Sequence, residues 1–182
     1  MIATSRKTST STKPCSAMEE IARLTLRRRL LGGVWNTLCL PLAVTRQQLA
    51  DVFGCDVELR TMLAYTYGII DFQAADAIAA GLPFLVRPAE DVDDPTFPLE
   101  HIEAAAPQSV GDADCQFVGT FNPVALPEDD GYTCVFLTAE GKLKKPAADR
   151  RTLGPFRAYF RVSDACRFDP SIMIYETINK NI

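Results

Sequence analysis

The sequence predicts an all-β fold, mainly an antiparallel β-sandwich of jelly-roll-like type, with one short helix near residues 45–54. Three observations carry that expectation. Short segments alternate apolar and polar residues with period two, the pattern of strands that bury one face. Turn signals built on Gly, Pro, Asn and Asp separate them at close spacing. A single stretch, Thr45 to Gly54, places its apolar residues at helical spacing instead.

A chain of 182 residues, 47% hydrophobic and 23% charged, can bury a core without disulfide staples and suits one domain over 17–182. Residues 1–16 are rich in Ser, Thr and Lys and read as a disordered leader. The net charge of −4 hides an uneven distribution: 1–31 and 142–161 are basic, whereas 51–103 carries eleven acids against Arg60 and Arg87. An acidic chain without a domain-wide basic face argues against nucleic acid as a partner. No run of about 18 apolar residues exists, so no transmembrane segment is expected, and the basic N-terminus lacks the apolar stretch of a signal peptide.

Along the chain, Ala22, Leu24, Leu26 and Leu30 alternate with Arg23, Thr25, Arg27 and Arg29, and only Arg28 breaks the pattern. That periodicity favours a strand over 17–31, in competition with the helix-start signal Ser16-x-x-Glu19. Gly32-Gly33 reads as a hairpin turn into a second strand over 34–44, buried on both faces and ended or bulged at Pro41. Thr45 and Gln48 form a capping box, Leu49, Val52 and Phe53 a stripe, and Gly54 a stop, so a short helix is expected here.

Val57, Leu59, Thr61, Leu63, Tyr65 and Tyr67 then define one face of a long strand that Gly68 breaks before it resumes over 69–73. The segment 74–80 has helical composition but is short, and stays open. Strands are expected over 82–87 and 96–103, flanking an acidic turn at 90–95. Residues 104–114 read as loop. Further strands fall at 115–121 and 132–137, with a hairpin turn at Glu140-Gly141. Phe156, Ala158, Phe160 and Val162 alternate with Arg157, Tyr159 and Arg161, a strand with one wet face, and 172–175 reads as a last edge strand.

Several short stretches resemble one family. Gly33-Val34-Trp35-Asn36-Thr37-Leu38-Cys39-Leu40-Pro41 is similar to the G-x-W-N-T-x-C-L-P-F opening of a β-rich module found in secreted and surface proteins of gut Bacteroidales. Ala80 to Pro88 resembles its A-G-K-P-Y-L-V-K-P strand, with Leu82 in place of the basic residue. Asp94-Pro95-Thr96-Phe97, Phe117-Val118-Gly119-Thr120-Phe121 and Pro155 to Phe160 resemble its N-P-T-F, F-V-G-T-Y and x-F-R-A-Y-F stretches, in the same order. The resemblance implies a secreted or cell-surface module for adhesion, protein contact or scaffolding, with no catalytic residues and no cofactor.

Trp35, Tyr65, Tyr67 and Tyr159 are the candidate ligand-stacking residues, since aromatic faces suit the apolar faces of sugars; the plainer reading is packing. A carbohydrate-binding module is therefore the alternative function, and the partner is an unidentified protein or glycan. Asp91, Asp93 and Asp94 offer oxygens to Ca²⁺ but lack the glycine and distant Glu of an EF-type loop. His101, the single His, has no nucleophile-elbow motif beside it. Six cysteines form no C-x-x-C pair, so no zinc site is expected. No phosphate-binding glycine loop is present. The arginines at 23, 27 and 29 share one strand face and need acids across from them, which the acidic middle segment can supply.

Overall fold

The computed structural model describes residues 23–98, 105–128, 130–166 and 171–174. The leader expected over 1–16, the N-terminal part of the 17–31 strand, and His101 lie outside them. The described residues form an all-β fold in several sheets, antiparallel except for one strand pair, with one short helix among them. In order come β1 (Arg23–Thr25), β2 (Arg29–Leu30), β3 (Asn36–Cys39) and β4 (Val44–Thr45), then α1 (Arg46–Phe53). Next are β5 (Glu58–Thr66), β6 (Ile69–Ala74), β7 (Ala77–Ile78), β8 (Pro83–Arg87), β9 (Val92–Asp93) and β10 (Thr96–Pro98). The rest supplies β11 (Ser109–Gly111), β12 (Cys115–Thr120), β13 (Val124–Ala125), β14 (Tyr132–Leu137), β15 (Leu143–Lys144), β16 (Thr152–Leu153), β17 (Arg157–Ser163) and β18 (Ser171–Ile174).

Two five-stranded sheets carry the structure, one ordered β18-β6-β5-β8-β3 and the other β11-β12-β17-β14-β15. Met62, Ile70 and Phe72 from the first meet Phe117, Val135 and Phe160 from the second in a shared core. Phe117 and Phe160 stack at 4.5 Å, and Phe72 meets them edge-on at 5.5 and 6.2 Å. Burying each of these rings stabilises by roughly 1.5–3 kcal/mol before entropy is counted. A second cluster gathers Leu26, Leu30, Leu49, Phe53, Leu59 and Phe97, so α1 packs its apolar stripe there. The two sheets approach closely at Gly119 of β12, where a Cβ would lie 2.4 Å from the Cys39 sulfur on β3. Only a residue without a side chain fits.

The helix is as its sequence requires. Thr45 accepts from the Gln48 backbone N–H at 3.3 Å while the Gln48 side chain accepts from the Thr45 N–H at 2.9 Å, and Gly54 closes the C-terminus. Elsewhere the structure corrects the local reading. The expected 17–31 strand is interrupted: the chain leaves β1 at Leu26 and bends at Arg28, the residue that broke the alternation. Leu26 and Leu30 are buried as expected. Gly32-Gly33 is a turn but not a hairpin, because β2 pairs with β9 and β3 pairs with β8. The backbone of Glu90 passes within 2.4 Å of where a Gly32 side chain would sit. The 34–44 strand is two strands, β3 and β4, parted at Pro41. The 74–80 segment contains β7 and no helix, and the 104–114 loop contains β11.

In β5 the simple alternation fails at a bulge between Met62 and Ala64. Met62 turns inward opposite Phe72, and Leu63 is left 56% exposed. The wet face expected for β17 is covered at its centre: Tyr159 is 5% exposed, packed with Leu126 and Cys134 beside the β13-β16 ribbon.

Candidate functional site

Trp35 is delivered by a pinned turn. The Asn36 side chain donates to the carbonyls of Leu31 at 3.0 Å and Val34 at 2.9 Å, holding the backbone on either side of the glycines. Pairing of β5 with β8 sets Glu58 opposite Arg87. Glu58 accepts from Arg60 Nη2 at 3.0 Å and from Arg87 Nε at 2.8 Å, with a further contact from Arg87 Nη2. These two guanidiniums lie 5.3 and 4.9 Å from the centre of the Trp35 ring. Arg60 is 3% exposed, a cation kept buried by its carboxylate and by donation to the Leu59 carbonyl at 2.9 Å. Each cation–π contact of this kind contributes about 0.5–2 kcal/mol. The indole is thus engaged by protein cations and packs at the margin of the inter-sheet core.

The other aromatic candidates do not join it in a platform. Tyr65 packs against the same core, with its hydroxyl buried and lacking a hydrogen-bond partner. Burial, and then Cys166, raise the Tyr65 hydroxyl well above its ordinary value. Tyr159 is enclosed in its own cluster, and burial raises its hydroxyl as well. Tyr67 sits in the β5–β6 turn at φ 50° and is 82% exposed. Four residues that strand spacing places in one class therefore occupy three environments.

A polar groove of about 320 Å³ lies elsewhere, lined by Glu128, Tyr132, Thr133, Lys145, Arg151 and Asp164 among others. Arg151 bridges Glu128 at 2.6 Å and donates to the Pro127 carbonyl at 3.0 Å. Thr133 donates to Asp164 at 2.7 Å. Beside it, Arg161 reaches Asp130 at 2.6 Å and stacks 4.4 Å from the Tyr132 ring centre. The arrangement sets hydroxyl, carboxylate and cationic groups around one concavity, the donor and acceptor mixture that binds polyhydroxylated molecules. Sequence reasoning missed this groove. Its signal was the acidic turn at 128–130 set against the basic 142–161 stretch, whose juxtaposition only the fold creates.

The acids at 91 and 93 serve Arg29: Asp91 contacts its guanidinium and Asp93 lies at 3.7 Å. This is the intramolecular match expected for that arginine. The Gly32 N–H, and then Arg29, hold the Asp91 carboxyl below its ordinary range. Among the described residues, no group of three or more His, Cys, Asp or Glu is placed to hold a metal ion. Cys39, Cys115 and Cys134 are buried free thiols. Burial pushes Cys39 and Cys115 up to about 12, so neither is a ready nucleophile at neutral pH.

Compared with known proteins, the chain matches no family model, no curated protein and no solved structure. Among the described residues no helix is long and apolar enough to cross a membrane.

Proposed function

We propose that this chain is a non-enzymatic module of a secreted or cell-surface protein, used for adhesion, protein contact or scaffolding. The observation that carries the proposal is the turn end of the β5–β6 hairpin, where Leu63 and Tyr67 are 56% and 82% exposed. The β5 bulge turns Leu63 out of the core, and the turn presents Tyr67. Large side chains displayed in this way are the anchors that protein interfaces use. The resemblance to Bacteroidales surface modules supports the same reading.

The test displays the whole chain on inert beads and scores adherence to cell surfaces and to purified matrix proteins. A Leu63→Ser/Tyr67→Ser variant is expected to lose adherence while its thermal melt is unchanged. Adherence that survives this variant refutes the assignment of the hairpin.

A second reading, a carbohydrate-binding module, is favoured by the polar groove rather than by the aromatic residues. A glycan array run on the same protein decides between them. Glycan binding that Asp164→Asn abolishes and Trp35→Ala spares supports the groove; an array without hits supports the protein-contact reading.

A further inference from the structure

A second concavity, of about 210 Å³, is lined by Leu26, Arg27, Arg28, Gly154, Pro155, Phe156 and Arg157. Its charge is uncompensated. Arg29, Arg60, Arg87, Arg151 and Arg161 all have carboxylate partners. Arg28 and Arg157 are half-buried and have none among the described residues. Arg28 spends one N–H on the Thr37 carbonyl at 3.2 Å, and its Nε is buried with no acceptor. Burial, and then the Arg157 charge, push the Arg28 guanidinium down to about 9, still cationic at neutral pH. Burial lowers Arg157 also. Two desolvated like charges sharing one wall are unfavourable unless an anion joins them.

The backbone is committed to this arrangement. Phe156 adopts a left-handed φ of 53°, a conformation that a residue with a Cβ holds only where its surroundings impose it. That kink begins β17 and sets Arg157 beside the concavity. Gly154 leaves room for the guanidinium: a side chain there would meet Arg157 Nε at 3.3 Å. Exposed Arg27 adds a third cation among the lining residues, and Leu26, Pro155 and Phe156 make an apolar wall.

We infer that the Arg28–Arg157 concavity binds a phosphate dianion, free or as the monoester of a small organic group. Two guanidiniums match a dianion in charge, whereas one carboxylate leaves a cation unbalanced, and the planar forks suit phosphate oxygens. The apolar wall is placed to take an ester substituent. This inference is independent of the adhesion reading.

The test is thermal melting and calorimetric titration of the full chain with inorganic phosphate, phenyl phosphate and acetate, each against chloride at matched ionic strength. Phosphate is expected to raise the melting temperature beyond chloride, and acetate is not. Arg157→Met is expected to weaken phosphate binding at least about tenfold while the anion-free melt stays equal or rises, because a repulsive charge has gone. Arg157→Lys is expected to retain part of the binding. Tighter binding of phenyl phosphate assigns the monoester, and equal binding assigns inorganic phosphate. Phosphate acting no better than chloride, acetate acting equally well, or an Arg157→Met protein that keeps the phosphate effect overturns the inference.

Discussion

Substituting Gly119 by Ala tests the closest packing between the two sheets. The new methyl would sit 2.4 Å from the Cys39 sulfur, 3.1 Å from the Cys39 Cβ and 3.2 Å from the Gln108 carbonyl oxygen. Optimal carbon contacts lie near 3.5–4.0 Å, so the overlap with sulfur is about 1 Å or more. Cys39 cannot swing aside freely, because its thiol donates to the Gly81 carbonyl at 3.2 Å and its residue is fully buried. Overpacking of this size costs about 1–3 kcal/mol, and displacing the thiol from its acceptor places the effect toward the top of that range. Cys39→Ala alone removes one buried atom and costs about 1 kcal/mol. Together the two changes should cost less than their sum by about 1–2 kcal/mol, since the sulfur that clashes is gone. Urea denaturation followed by Trp35 fluorescence and circular dichroism measures all four proteins. Additivity within about 0.5 kcal/mol would refute the contact, and with it the placement of β12 against β3.

Three further outcomes follow from the same structure. Phe160→Ala should lower stability by about 3–5 kcal/mol in denaturant melts, because the ring is fully buried between Phe117 and Phe72. Thr45→Ala should cost about 1 kcal/mol by the same measurement and Thr45→Asp much less, since Asp can still cap. Stability should fall as pH rises from about 9 toward 12: the folded Cys39 and Cys115 thiols stay protonated up to about 12 against an ordinary value of 9.0, so only the unfolded chain gains by ionising. Arg28, lowered from its ordinary value to about 9, works in the opposite direction over that window, and Cys115→Ala should flatten the alkaline loss.

The parts legible in the sequence were those set by neighbours along the chain. The capping pair Thr45 and Gln48 and the stripe Leu49, Val52, Phe53 are local, and α1 forms where they place it. Period two marked β17, because one side of that strand must face a core, and flanking turn signals marked β12 and β14. The β5 bulge was hidden, since it is a property of the pairing with β6. So was the burial of Tyr159, which depends on residues about 35 positions earlier in β13. Trp35 stood out in the sequence, but its two cations come from β5 and β8, and nothing near it announces them. Arg28 did give a local sign: the one break in an alternating segment is the residue whose side chain turns into a concavity.

The single parallel pairing among the described residues bears on how the chain is made. β18 lies along β6, and Ser171 hydrogen-bonds to Gly68 from 103 positions away. At synthesis rates of about 5–20 residues per second, the outer edge of β6 waits roughly 5–20 s for its neighbour to leave the ribosome. During that interval an unpaired row of backbone donors and acceptors, next to the apolar Ile69–Phe72 stretch, is open to any other nascent strand. A chaperone that binds extended apolar segments would find its target there, and a ribosome pause placed between these two strands would lengthen the exposure in proportion.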